Sequence, residues 1–374
     1  MFPRFLLTAL AAFFLATSAL TQDMDSVRLY LGTYTRDGGK GIYTLNLNLR
    51  TGELSQPQLA AETSNPSYLA LAPDRSTLYA VDESEAMAAA FNVPRNRAEL
   101  TPVSTRQAAG GKAPCHLAVD HTGKMLIVVN YHTGVVASLP IREGGSLGPA
   151  ASVIQHRGSS VNQDRQSSPH AHSVTISADN RFALVCDLGL DKILTYRLDP
   201  STATLSPAEP AFTATTPGSG PRHFAFSPDG RHAFVISEMG ATLTSYVYGA
   251  ERGTLEPRDT QSTLAKDFQG ENKSAAVRVH PNGRFVYASN RGPDNIAVFA
   301  FDAATARLKL VELVPSGGKA PRDFALSPDG KWLIAANQDS NSLIVFSVNA
   351  ATGQLIRTPM SASVSMPVCV LFAP

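Results

Sequence analysis

Gly220-Pro221-Arg222-His223-Phe224-Ala225-Phe226-Ser227-Pro228-Asp229-Gly230-Arg231-His232-Ala233-Phe234-Val235-Ile236-Ser237-Glu238 sets two short apolar runs on either side of a Pro-Asp-Gly turn. Asp-Gly supplies the backbone conformation of a tight turn, so the segment reads as a β-hairpin. The same phrase recurs along the chain. Asn65-Pro66-Ser67-Tyr68-Leu69 leads to Val81-Asp82-Glu83, and Ala113-Pro114-Cys115-His116-Leu117 leads to Val129-Asn130-Tyr131. Further copies run from Pro169 through His172 to Cys186-Asp187, from Ser274 to Ser289-Asn290-Arg291, and from Ala320-Pro321-Arg322 to Ala336-Asn337-Gln338, with turns at Pro281-Asn282-Gly283 and Pro328-Asp329-Gly330. A last copy opens at Met366-Pro367-Val368-Cys369 and stops at Pro374 after one strand.

Two further strands follow each hairpin, as in Asn295 to Phe301 and Leu308 to Val314, giving four-stranded units at a period of about 50 residues, the pattern of propeller blades. An unfinished last unit would leave a sheet edge unpaired. The N-terminal segment carries strand candidates at Val27 to Tyr34, Gly41 to Leu49 and Leu54 onward, which can complete that unit. The expectation is an all-β, seven-bladed β-propeller of four-stranded antiparallel blades over residues 27–374, closed by N- and C-terminal strands sharing one blade; six and eight blades are the neighbouring counts.

Residues 1–20 read differently. Arg4 precedes an apolar stretch from Phe5 to Leu15 and small residues at Ala16, Ser18 and Ala19, the layout of a cleaved secretory signal. The apolar run is short for a membrane anchor, so a periplasmic or secreted protein without stable membrane insertion is expected. Cys115, Cys186 and Cys369 are too few and too widely spaced for a disulfide framework and read as buried small hydrophobes. A net charge of +1, with basic residues spread along the chain, gives no footprint for nucleic acid. The expected partner is a small molecule, and the expected state a monomer.

In a ring, repeat phase brings distant residues together. Aligned copies place Ser67, Cys115, His172, Arg222, Ala275, Arg322 and Val368 at the entrance to the inner strands, and Glu83, Tyr131, Leu188, Glu238, Arg291 and Gln338 at the exit of the next strands. Both circles surround one mouth. His172, Arg222, Glu238, Arg291, Arg322 and Gln338 concentrate chemistry on the third to sixth blades, although such residues can also simply pair with one another in a wet channel. The residue before each exit, Asp82, Asn130, Asp187, Ser237, Asn290 or Asn337, is polar throughout and reads as a turn residue.

Leu31-Gly32-Thr33-Tyr34-Thr35, Ser168-Pro169-His170-Ala171-His172-Ser173, Gly220-Pro221-Arg222-His223, Ser237-Glu238, Ser289-Asn290-Arg291-Gly292, Ala320-Pro321-Arg322 and Asn337-Gln338 together resemble the lactonase-type seven-bladed propellers, which include bacterial 6-phosphogluconolactonases and muconate lactonising enzymes. The resemblance implies hydrolysis of a sugar lactone, with His172, Arg222, Glu238 and Arg291 as catalytic residues; His170 and His172 alternate along a strand as metal ligands can, but no carboxylate cluster at matching phase completes a site, so no metal or other cofactor is expected. It departs at Ala275-Ala276, where related chains often carry an acidic residue, so a supporting contact is expected to be missing. Lactone opening needs an activated water and a held oxyanion. Glu238 or His172 is expected as the base, Arg222 and Arg291 as anion holders, and His170, His223, Arg322 and Gln338 as substrate-binding residues. The alternatives are a cycloisomerase of muconate-type acids and a non-catalytic binding propeller. Gly144-Gly145-Ser146-Leu147-Gly148 matches a nucleophile-elbow pattern without the strand-to-helix context that pattern needs, and is set aside.

Overall fold

The computed structural model describes residues 25–94 and 97–373. The signal expected over residues 1–20 lies outside them. Among the described residues no helix is long and apolar enough to cross a membrane.

Seven antiparallel sheets form a ring. The first strand of each repeat is innermost: Leu69–Leu71 in blade 1, Pro114–Val119 in blade 2, Ala171–Ile176 in blade 3, Pro221–Phe226 in blade 4, Lys273–Val279 in blade 5 and Pro321–Leu326 in blade 6. Neighbouring first strands pack against one another around the axis. Blade 7 is the shared one: Pro367–Ala373 is its inner strand and pairs antiparallel with Ser26–Thr33, from Arg28 opposite Ala373 to Thr33 opposite Pro367. Gly41–Asn48 and Gln58–Glu62 complete it.

The second strands explain why the sequence reads as continuous rather than alternating apolar runs. Thr77–Asp82, Phe182–Asp187 and His232–Ser237 are buried at every position, because each sheet is covered on both faces by its neighbours. Apolar clusters fill the interfaces between blades. Phe182 and Leu184 of blade 3 meet Phe224, Val235 and Tyr246 of blade 4, while Leu29, Leu31 and Leu45 of blade 7 meet Ile334, Leu343 and Val345 of blade 6 and lock the closing blade to the rest. The cysteines are free and buried, as expected.

The outer strands depart from expectation. In blade 1 the outer edge is split into Thr101–Pro102 and Gln107–Ala108, both on Met87–Asn92. In blade 7 the strand expected from Leu54 begins only at Gln58, with Leu54 making an isolated bridge to Leu47. Pro57, immediately before Gln58, has no amide to give the ladder.

One irregularity repeats with the blades. Pro114 faces Asn130 and His116 faces Val129, Ala171 faces Asp187 and Ser173 faces Cys186, Pro221 faces Ser237 and His223 faces Ile236, Pro321 faces Asn337 and Asp323 faces Ala336. The unpaired residues of these β-bulges are Cys115, His172, Arg222 and Arg322. A bulge re-aims its side chain, so the same kink recurs at the entrance position of blades 2, 3, 4 and 6.

Candidate functional site

The exit residues are fixed by a recurring hydrogen bond to the carbonyl ahead of each inner strand. The amides of Tyr131, Leu188, Glu238 and Gln338 donate to Ala113, His170, Gly220 and Ala320 at 2.9, 2.9, 2.8 and 3.0 Å. Glu83 donates to Asn65 at 3.3 Å, and Tyr34 donates to Met366 at 3.1 Å. Tyr34 is therefore the exit residue of blade 7, a position the sequence alignment left blank because this blade is divided between the chain ends.

Glu238 is the centre of the charged side. It is 5% exposed, and the adjacent Arg222 is 1% exposed. Arg222 Nε donates to Glu238 Oε2 at 3.0 Å, and Arg291 Nη2 donates to the same oxygen at 2.9 Å. Glu238 Oε1 accepts from Arg165 Nη2 at 2.7 Å. Burial pushes the Glu238 carboxyl upward, but Arg291 and Arg222 outweigh it and hold it well below the carboxylate range. Burial, then the fields of Arg291 and Arg322, pulls the Arg222 guanidinium down to about 9, still charged at neutral pH. Backbone carbonyls take further donors: Arg222 Nη1 reaches Ala275 at 2.5 Å and Arg291 Nε reaches Lys273 at 3.0 Å. The main chain at Ala275 thus supplies a contact where an acidic side chain was expected to be missed. Among the described residues, Arg222 Nη2 and Arg291 Nη1 make no hydrogen bond to the protein.

Arg165 was not anticipated. It lies in the connection between blades 2 and 3, outside the repeat, and its Nη2 also donates to the Tyr131 hydroxyl at 3.3 Å. His170 holds Tyr131 from below: the rings stack at 4.6 Å and His170 Nδ1 lies 2.9 Å from the Tyr131 carbonyl oxygen. His172 meets the edge of Tyr131 at 5.5 Å. Its Nδ1 is buried and has no hydrogen-bond partner among the described residues. Burial, reinforced by Arg222, lowers the His172 pKa well below 6.5, so the ring is neutral.

Both carboxylate oxygens of Glu238 are occupied by arginines, and a carboxylate so stabilised is a weak proton acceptor. Glu238 thus gathers the arginines, while His172 is a neutral ring whose Nδ1 finds no partner among the described residues.

Across the mouth, Arg322 of blade 6 lies over the Tyr34 ring at 5.4 Å. Gln338 is buried and donates from Nε2 to Asp339 at 2.8 Å. His223 bridges the site and the layer beneath it. It packs at 5.5 Å on both His116 and His172, and His116 stacks on Tyr68 at 3.6 Å. These rings form a floor, extended by the 2.7 Å ion pair between Arg278 and Asp323. Beneath it a cavity of about 440 Å³, lined by Tyr68, His116, His223 and Arg278, opens to the other mouth. His223 sits one residue after the bulge, which separates it in depth from Arg222. Ser146 follows a 3₁₀ turn at Glu143–Gly145 in blade 2, remote from the two circles.

A family model described as "Lactonase, 7-bladed beta-propeller" matches residues 28–372. A 6-phosphogluconolactonase of Bacillus subtilis is 35% identical over 345 residues, covering 92% of this chain and 97% of its own length. One from Formosa agariphila is 31% identical, covering 80% of this chain and 86% of the relative. The solved structure of a periplasmic gluconolactonase from Pseudomonas aeruginosa superimposes with a TM-score of 0.89 at 35% identity, covering 93% of this chain and 99% of that one.

Proposed function

The chain belongs to the lactonase family of seven-bladed β-propellers, and from that premise we propose that it hydrolyses a sugar lactone at the charged mouth. The enzyme is a lactonase. The observation that carries the site assignment is the gathering of Arg165, Arg222 and Arg291 on the buried Glu238 carboxylate beside the neutral, unpaired His172.

In this reading His172 takes a proton from water as the water oxygen attacks the lactone carbonyl carbon. The carbonyl oxygen becomes negative in the tetrahedral intermediate and is received by Arg222 Nη2 and Arg291 Nη1. Donors fixed in advance in a site shielded from water stabilise such a charge far better than solvent does. Collapse of the intermediate breaks the ring ester bond, and the proton on His172 passes to the departing ring oxygen. One water is consumed, and the product is an open-chain hydroxy acid that ionises. Glu238 holds the two arginines in position and offsets their mutual repulsion.

The test is acid release in a pH-stat from glucono-1,5-lactone and its 6-phosphate, corrected for spontaneous hydrolysis. The parent should accelerate at least one of them, and kcat/KM should show no inflection near 6.5, since the His172 pKa lies well below that value. His172→Asn should lower kcat by roughly 10²–10⁴-fold, the usual contribution of a positioned base. A folded parent that does no better than buffer would refute the reading. Expressed in a bacterium with its own leader, the protein should be recovered soluble from the periplasm without residues 1–20; full-length protein in carbonate-washed membranes would contradict the proposed export.

A further inference from the structure

Glu83 occupies the same register in blade 1 that Glu238 occupies in blade 4, each donating its amide to the carbonyl ahead of its inner strand. Their environments are opposite. Glu238 accepts from three arginines, whereas Glu83 Oε2 is buried and, among the described residues, accepts a hydrogen bond from none. Its charge acts on Tyr34 of blade 7, Arg322 of blade 6 and Cys115 of blade 2. Among the described residues Arg322 makes no ion pair, its guanidinium lying over the Tyr34 ring. One side of the mouth thus ties its carboxylate into ion pairs, while the other presents a carboxylate oxygen without a donor and a cation without an ion pair among the described residues.

A buried carboxylate oxygen without a donor is costly, and the ligand that answers it must bring hydroxyl or amine hydrogens. We propose that Glu83, with Tyr34 and Arg322, forms the hydroxyl-recognising half of the site, so that Glu83 is the residue that sets the preference for a hydroxylated over a bare lactone ring. This rests on the lactonase reading and adds its specificity. Glu83 accepts from substrate hydroxyls, Tyr34 offers its hydroxyl, and Arg322 donates to hydroxyl oxygens, while the carbonyl lies toward Arg222 and Arg291. Glu83 orients the substrate and moves no proton in the reaction.

The experiment compares glucono-1,5-lactone with δ-valerolactone, which has the same ring without hydroxyls. The parent should prefer the hydroxylated substrate. Glu83→Gln should shrink that preference by roughly 10- to 100-fold, the worth of one or two hydrogen bonds to a charged acceptor, through a raised KM for gluconolactone with the smaller change in kcat. Tyr34→Phe should shrink it in the same direction and serves as the second variant if Glu83→Gln does not fold. An unchanged preference, or a kcat loss with unchanged KM, would overturn the proposal. If the parent hydrolyses neither lactone, the lactonase reading falls instead. Calorimetric titration with gluconate then decides the subsite, with weaker binding to the Gln variant supporting it and equal binding rejecting it.

Discussion

Glu238 is surrounded by more positive charge than it carries, and this makes it a structural centre as well as part of the site. Removing its charge leaves Arg222, almost fully buried, without its ionic partner, which typically costs about 3–5 kcal/mol. Glu238→Gln should therefore lower the Tm by several degrees and depress kcat/KM together. The sign of the pH effect follows from the lowered carboxyl pKa: the contribution is present above the unfolded value near 4.5 and is lost as pH falls through the lower folded value, so the variant should show a flatter acid limb of stability. Thermal melts across pH 3–7 would check this; a variant with the parent's Tm but a large kcat loss would return the proton-accepting role to Glu238. His172, Arg222, Glu238 and Arg291 were legible because each sits at a repeat phase. Arg165 was not, since the connection that carries it has no counterpart in the other blades. Tyr34 stood among the family-like residues, but its exit role was hidden because Pro367–Ala373, which completes its blade, lies at the other end of the chain.

At the scale of strands, the bulge does the aiming. A regular inner strand would alternate its side chains between faces, whereas the extra residue at Cys115, His172, Arg222 and Arg322 re-aims the entrance side chains of blades 2, 3, 4 and 6 in the same way. Hairpin turns and buried central strands were readable from Pro-Asp-Gly and unbroken apolar runs. The bulges were not, because nothing in Pro-Arg-His or Pro-Arg-Asp signals a shift of pairing. Closure depends on Pro367–Ala373, which contributes the inner strand of blade 7 and buries Val370 against blade 6. Deleting residues 367–374 should abolish cooperative folding or drive aggregation, although the segment carries none of the proposed catalytic residues, because Ser26–Thr33 would lose its partner along one edge. Differential scanning calorimetry of the deletion would show it; an unchanged midpoint would disprove closure by the shared blade.

For the whole ring the question is which mouth works. The floor of Tyr68, His116 and His223 divides the axis. Above it lie the arginines and His172; below it lies the 440 Å³ cavity with Arg278, already paired to Asp323. Much of the lower cavity's wall is aliphatic, with Leu69, Leu117, Val174 and Leu371 among its lining, and Arg278 is committed to its partner. The upper mouth combines free arginine donors with an unpaired neutral imidazole, the two things ester opening requires. The direct test is a crystal structure of the His172→Asn protein soaked with glucono-1,5-lactone. The account predicts the lactone carbonyl against Arg222 and Arg291, with its hydroxyls toward Glu83; the ring seated beneath the floor against Arg278 and His116 would contradict it.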